Sequence, residues 1–184
     1  MQQEDFIFEI KKFFPKNFCD KIIAYFGNDD LLDATTVGGL DKNVRNCIAR
    51  DINHAKSFGQ RIVQNHIKAR MDDAVKHYIK NYTHVNVVKS SQIELLKYVH
   101  NQYKAGYKWH TDQGATVPDR QLSVSVCLNN DYDGGEFQFD FKEGVKQIPQ
   151  NVGDLIIFPS NFMFPHQVKQ VTRGIRYALI GWYI

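Results

Sequence analysis

The spacing of apolar side chains changes character midway along the chain. Phe6 to Ile10 reads as a short strand. In the following FFPKNFCDKIIAYFGN, Phe18, Ile22, Tyr25 and Phe26 recur on one helical face. Pro15 suits a first helical turn and Gly27 suits a helix end. Residues 33–58 show no clear period, although Gly38-Gly39 marks a turn. From Gly59 to Asn81, Ile62, Val63, Ile67, Met71, Val75, Tyr78 and Ile79 recur at helical spacing and predict a long amphipathic helix. Its basic residues read as the solvated face of a support helix rather than as a nucleic-acid reader. After Asn81 the pattern breaks into the short apolar runs Ile93–Val99, Leu122–Leu128, Glu136–Phe141, Leu155–Phe158 and Tyr177–Ile184. Turn signals separate them: Asp133-Gly134-Gly135, Lys142-Glu143-Gly144 and Asn151-Val152-Gly153-Asp154.

Helices first and many short strands afterwards predict an α+β, mainly β chain with a sandwich or jelly-roll core. No internal repeat or Pro/Ser-rich linker interrupts it. The expectation is one domain over residues 1–184, with a helical part to about residue 85 and a jelly-roll core from about residue 86. A length of 184 residues suits one sizeable core.

Composition narrows the function classes modestly. A net charge of +3 suits an anionic small ligand without demanding nucleic acid. The cysteines are Cys19, Cys47 and Cys127, an odd number with no C-x-x-C spacing. That argues against a disulfide framework or a zinc–thiolate site and suits a reducing compartment. Residues 1–12 carry Glu4, Asp5 and Glu9 without an apolar signal-like core, and no stretch approaches a membrane span. The expected location is cytoplasmic, with no membrane partner.

The candidate chemistry centres on Trp109-His110-Thr111-Asp112. In a strand, residues two apart share a face, so His110 and Asp112 could aim an imidazole and a carboxylate at one point. The pair alone reads equally as a surface hydrogen-bonded pair. As part of a metal site it is two-thirds of the 2-His-1-carboxylate set of non-haem iron oxygenases. His166, in FPSNFMFPHQV, is the candidate third ligand. Three protein ligands leave room for 2-oxoglutarate to chelate the metal and for dioxygen beside it. The far carboxylate of 2-oxoglutarate then needs a buried cation. Arg176 would share a strand face with Ala178, Ile180 and Trp182, whereas Arg173 lies in a Thr-Arg-Gly turn that suits solvent.

The blocks YKWHTD, DRQLSVSVCLN, DYDGGEFQF, VGDLIIFPS and HQVKQVTRGIRYALIGW, in this order, resemble the prolyl 4-hydroxylase-like branch of the Fe(II)/2-oxoglutarate oxygenases. The similarity is to small microbial or viral members. It covers roughly residues 93–184, and the opening strand-then-helix segment is also similar. The resemblance implies a double-stranded β-helix, with His110, Asp112 and His166 as catalytic iron ligands and Arg176 as the 2-oxoglutarate anchor. It places Tyr107 and Trp182 near substrate. It gives Tyr103 a hydrogen bond to 2-oxoglutarate, with Tyr98 as the alternative. Where some relatives have a second pocket tyrosine, this chain offers Val126 and Cys127.

The implied cofactors are Fe(II) and 2-oxoglutarate, with ascorbate as a reductant. The implied reaction is hydroxylation of a C–H bond, most naturally in a proline-containing peptide or protein, with dioxygen consumed and succinate and CO2 released. The cytoplasm would then be that of a bacterium or an infected host cell. Other readings are an oxygenase for a free amino acid, another small molecule or nucleic acid, and a non-catalytic jelly-roll binding module. The barrel half has no concentrated basic stripe to favour nucleic acid. Residues 35–50 and 113–120 are turn-rich and are expected to border a substrate entrance.

Overall fold

The computed structural model describes residues 2–28, 31–36, 39–100 and 104–184. In chain order the elements are β1 (Phe8–Ile10), α1 (Lys16–Phe26), β2 (Leu32–Asp33), β3 (Arg45–Asn46), β4 (Ile48–Asp51), α2 (Phe58–Asn81) and β5 (Ser90–Val99). There follow β6 (Gly106–His110), β7 (Leu122–Cys127), β8 (Asp133–Gly134), β9 (Phe137–Phe141), β10 (Gly144–Gln147) and β11 (Leu155–Pro159). The chain ends with β12 (His166–Val168), β13 (Val171–Arg173) and β14 (Ile175–Tyr183).

These strands form a double-stranded β-helix. The major sheet runs β1-β11-β7-β14-β5-β4-β2 and the minor sheet β10-β9-β12-β6-β3, all antiparallel; β8 and β13 form a separate ribbon. Side-chain alternation sends each major strand into two apolar cores. Ile93 and Leu95 of β5, Leu122, Val124 and Val126 of β7, Leu155 and Ile157 of β11 and Leu179 of β14 pack against the helices. The alternate residues Leu96, Tyr98, Ile156, Phe158, Ile180 and Trp182 meet Phe137, Phe139 and Phe141 of the minor sheet. Burial on both faces is why these strands read as nearly continuous apolar runs.

Ser57 caps α2 by accepting a hydrogen bond from the Gln60 amide at 3.1 Å. The helix buries Val63, Ile67, Met71, Ala74, Val75 and Tyr78 against the major sheet. In α1 the fully buried residues are Cys19, Ile22 and Phe26, so the buried stripe is rotated from the expected one, and Phe18 and Tyr25 pack at its rim. The first strand begins at Phe8, because Gln3–Phe6 forms a 3-10 turn. The helical and jelly-roll halves are less separate than expected. The major sheet takes β1 at one edge and β4 and β2 at the other, all from the first 85 residues. Short strands with an open face, such as β10 (GVKQ) and β12 (HQV), lack a continuous apolar run and escape sequence reading. Of the expected Gly38-Gly39 turn, Gly38 lies outside the described residues. Among the described residues no helix is long and apolar enough to cross a membrane.

Candidate active site

Strand pairing brings the two histidines together. β12 lies beside β6 with His166 opposite His110, and their ring centroids are 4.2 Å apart. Asp112 joins them by a different route from the expected one. β6 ends at His110, so Asp112 does not share its strand face by alternation. It sits in the bend just after, where Ser123 on β7 donates to its Oδ2 at 2.6 Å. Ser123 in turn lies 2.8 Å from the Ser160 hydroxyl, and the Ser160 carbonyl accepts from the Gln113 amide at 2.8 Å. The bend is thereby tied to the ends of β7 and β11. The sequence signal for this tie is LSVSVC, in which polar residues occupy alternate positions of an otherwise apolar strand.

The donor atoms converge. His110 Nε2 lies 3.7 Å from Asp112 Oδ1 and His166 Nε2 lies 3.6 Å from Oδ2. One ligand atom from each residue falls within 4.8 Å of the others. Each imidazole has its Nδ1 against a backbone carbonyl two residues earlier, Lys108 at 2.7 Å and Phe164 at 3.0 Å. A carbonyl only accepts, so Nδ1 of each ring carries a proton and Nε2 is the nitrogen that faces the carboxylate. Burial, reinforced by His166, pushes His110 down to about 3, so its ring is neutral at ordinary pH. Burial alone would raise Asp112. The two imidazoles and the Ser123 hydroxyl outweigh it and hold the carboxyl below its ordinary value. Two imidazole nitrogens and one carboxylate oxygen on one side of a point fit a divalent first-row metal with open positions opposite.

From this cluster a cavity runs between the sheets, past Leu96, Tyr98, Ser125, Ala178 and Ile180, to Arg176. Arg176 is 2% exposed, its Nε has no hydrogen-bond partner, and no carboxylate pairs with it among the described residues. The guanidinium carbon stands 5.4 Å from the Tyr98 ring centroid. A buried guanidinium without a counter-charge calls for an anion. Arg173 differs: its side chain is 67% exposed and grips Asp133 at 2.5 and 3.0 Å.

Tyr107 stacks on His110 with centroids 3.3 Å apart, and Arg45 lies over its outer side. Trp182 lines the same cavity and carries the Arg120 guanidinium 3.7 Å from its ring centroid. Both aromatics also border a second, polar cleft of about 240 Å3 that reaches Asp112. Thr35, Thr36, Arg45, Thr116, Val117 and Arg120 of the two turn-rich segments line this cleft. Tyr103 lies outside the described residues. Tyr98 is buried and faces Arg176, while Val126 points to the helices and leaves Cys127 on the cavity side of β7. Sequence reading missed Ser123, Ser125, Ser160, Arg45, Arg120 and Tyr132.

Comparison with known proteins agrees with this constellation. The model of the 2OG-Fe(II) oxygenase superfamily matches residues 94–184, which hold the three-residue cluster and Arg176. The matched residues, just under half of the chain, are those of that superfamily's domain. Within it, the chain is similar to PKHD-type hydroxylases. One from Prochlorococcus marinus (strain MIT 9211) is 39% identical over 80 residues, 42% of this chain and 35% of that protein. Another from Synechococcus sp. (strain JA-2-3B'a(2-13)) is 38% identical over 89 residues, 44% and 39% of the two chains. The matched stretch thus spans well under half the length of these relatives. In fold, the chain is similar to a prolyl hydroxylase from Trichoplax adhaerens in complex with a hypoxia inducible factor oxygen degradation domain peptide fragment. The TM-score is 0.85 at 17% identity, covering 99% of this chain and 86% of that one. It is also similar to a Pseudomonas putida prolyl-4-hydroxylase, with a TM-score of 0.73 at 20% identity, covering 97% and 91%.

Proposed function

We propose that this chain is an Fe(II)- and 2-oxoglutarate-dependent dioxygenase that hydroxylates a C–H bond, with peptidyl proline as substrate. The observation that carries the reading is a single cavity with a His–His–Asp donor set at one end and a buried guanidinium without a carboxylate partner among the described residues at the other. A metal at the first end and a dicarboxylate spanning to the second would satisfy both.

His110, Asp112 and His166 would hold the iron, and among the described residues no other His, Cys, Asp or Glu joins them. Arg176 would bind the far carboxylate of 2-oxoglutarate, with Tyr98 beneath the guanidinium. Bound iron supplies the redox chemistry by which dioxygen and the 2-oxo acid yield succinate, CO2 and a hydroxylated product. The chain orients the reactants and keeps the cavity dry. Leu96, Ala178 and Ile180 present apolar walls, so the charge on Arg176 is weakly screened. Tyr107 and Trp182 stand where the cavity meets the polar cleft and would contact the substrate. A peptide substrate is supported by the bound peptide of the Trichoplax adhaerens enzyme, and the cleft between residues 35–50 and 113–120 offers such a segment a polar approach.

The test is incubation with Fe(II), ascorbate, 2-oxoglutarate and a panel of proline-containing peptides. Succinate release should be metal-dependent, and one peptide should gain one oxygen atom on proline. Oxygen on a different residue would overturn the substrate. No 2-oxoglutarate binding by the metal-loaded protein would overturn the enzyme.

A further inference from the structure

Beside Arg176, on the side away from the triad, the DYDGG loop forms a closed polar arrangement that the dioxygenase reading leaves unused. The ribbon of β8 and β13 holds this loop against the start of β14. The approach is tight. A Cβ on Gly135, whose φ is +68°, would lie 2.8 Å from Arg176 Cδ and 3.2 Å from Tyr132 Cε2. One on Gly174 would lie 3.1 Å from Tyr132 Cα. The stem of Arg176 and the ring of Tyr132 therefore converge on a space that only glycine leaves open.

Donor and acceptor accounting gives the loop a direction. The Tyr132 phenol stands beside the Arg176 guanidinium and interacts with it electrostatically. A guanidinium only donates, so toward it the phenol oxygen can only accept, and the phenol's own proton must go elsewhere. The Cys127 sulfur stands 4.0 Å away, and the Cys127 thiol proton is already directed to the Asn129 carbonyl at 3.2 Å. Asn129 closes the circuit. Its amide donates to the Ile175 carbonyl and accepts from the Tyr177 amide, both at 2.7 Å, so it clamps the strand on either side of Arg176. Tyr132 and Cys127 bring no negative charge to the guanidinium. They can fix its orientation without cancelling the charge that a ligand would need, and its Nε stays unpartnered.

We propose that Tyr132 is a positioning residue, which aims the Arg176 guanidinium and through it sets the preference for a 2-oxo acid with a distal carboxylate. This rests on the dioxygenase reading. The effect should be confined to the far end of the ligand, because Tyr132 touches Arg176 and none of the three donors.

The test compares wild type with Tyr132→Phe, which removes only the phenol oxygen. Anaerobic calorimetry on the Mn(II)-loaded protein would titrate 2-oxoglutarate and, as a monocarboxylate probe, 2-oxobutyrate. Tyr132→Phe should weaken 2-oxoglutarate by up to roughly tenfold through lost orientation of the guanidinium, the low end of what losing an outer partner of a binding group costs. It should leave Mn(II) affinity and 2-oxobutyrate binding at wild-type values. Cys127→Ala, which removes the next acceptor, should give a smaller loss of the same diacid-selective kind even if Tyr132→Phe fails to fold, and Cys127→Ser should restore it. Equal weakening of both acids, or undiminished 2-oxoglutarate binding in Tyr132→Phe and Cys127→Ala, would overturn the inference while leaving the dioxygenase reading intact. A wild-type protein that binds neither acid would overturn the parent reading and this inference with it.

Discussion

Replacing Ser123 by alanine tests how the carboxylate of the donor set is held. Ser123 is fully buried and its hydroxyl sits 2.6 Å from Asp112 Oδ2, a length that marks a charge-assisted bond. A hydrogen bond to a charged group contributes roughly 1.5–3 kcal/mol. Most of that is present with and without metal and cancels in the binding equilibrium. What survives is orientation: without the hydroxyl, the Asp112 carboxylate can turn away from His110 and His166, and metal must pay to bring it back. Loss of an outer hydrogen bond to a metal ligand typically weakens binding about 10- to 100-fold. The lower end, about 1.4 kcal/mol, is expected here because the bend is also tied through the Gln113 amide. Ser160→Ala removes a group that touches Ser123 but gives Asp112 no hydrogen bond, so its effect should be a few-fold at most. The assay is Mn(II) or Co(II) titration of the apoprotein, with circular dichroism melting to check folding. If Ser123→Ala binds metal like wild type while Ser160→Ala is weakened, the carboxylate is not held as described.

Three further outcomes are expected. Arg176→Ala should weaken 2-oxoglutarate by roughly 30- to 1000-fold, the scale of a charge-assisted bidentate contact, and Arg173→Ala should change it little; the reverse ranking in calorimetry would refute the cavity assignment. Asp154 is nearly buried, accepts the Lys12 and Asn151 amides and pairs with Lys11; burial would raise its carboxyl, but these partners hold it below its ordinary value. A depressed folded pKa stabilises above the unfolded value of about 3.9 and loses that stabilisation as pH falls through the lower folded value. The stability gap between wild type and Asp154→Asn, measured by urea denaturation, should therefore be full near neutrality and close in acid, and a gap that widens in acid would refute the assignment. Phe139 is fully buried among Phe137, Phe141, Phe158 and Phe164, so Phe139→Ala should cost about 3–5 kcal/mol in the same assay. A loss under about 1 kcal/mol would mean the inter-sheet core can collapse around the cavity.

The long strands were legible because burial on both faces leaves an apolar run, as in Leu155–Pro159 and Ile175–Tyr183. Parity along β14 was legible for the same reason: Arg176, Ala178, Ile180 and Trp182 all line the cavity. The meeting of His110 with Asp112 was anticipated from strand alternation, yet the strand stops at His110 and a serine on another strand does the aiming. Pattern reading recognises a His-x-Asp spacing but not the loop that shapes it. Arg45, Arg120 and Tyr132 were not legible at all. Each lies in a short or irregular segment, where no period assigns a face, and each gains its place from contacts with residues distant in sequence.

Strand β14 is inscribed on both sides. Arg176, Ala178, Ile180 and Trp182 face the cavity, while Leu179 and Tyr183 belong to the helical core and Gly181 admits the end of Met71, where a Cβ would come within 2.7 Å. A one-residue slip against β5 and β7 would exchange the two texts, turning Arg176 into the helical layer and Leu179 into the cavity. Single-residue insertions or deletions inside Ile175–Tyr183 are therefore forbidden by geometry. The same change in residues 39–44, ahead of the two-residue strand β3, leaves that register untouched. Length variation can be absorbed at the rim of the polar cleft, beside Thr35, Thr36 and Arg45, while the anchor and the metal donors stay in phase.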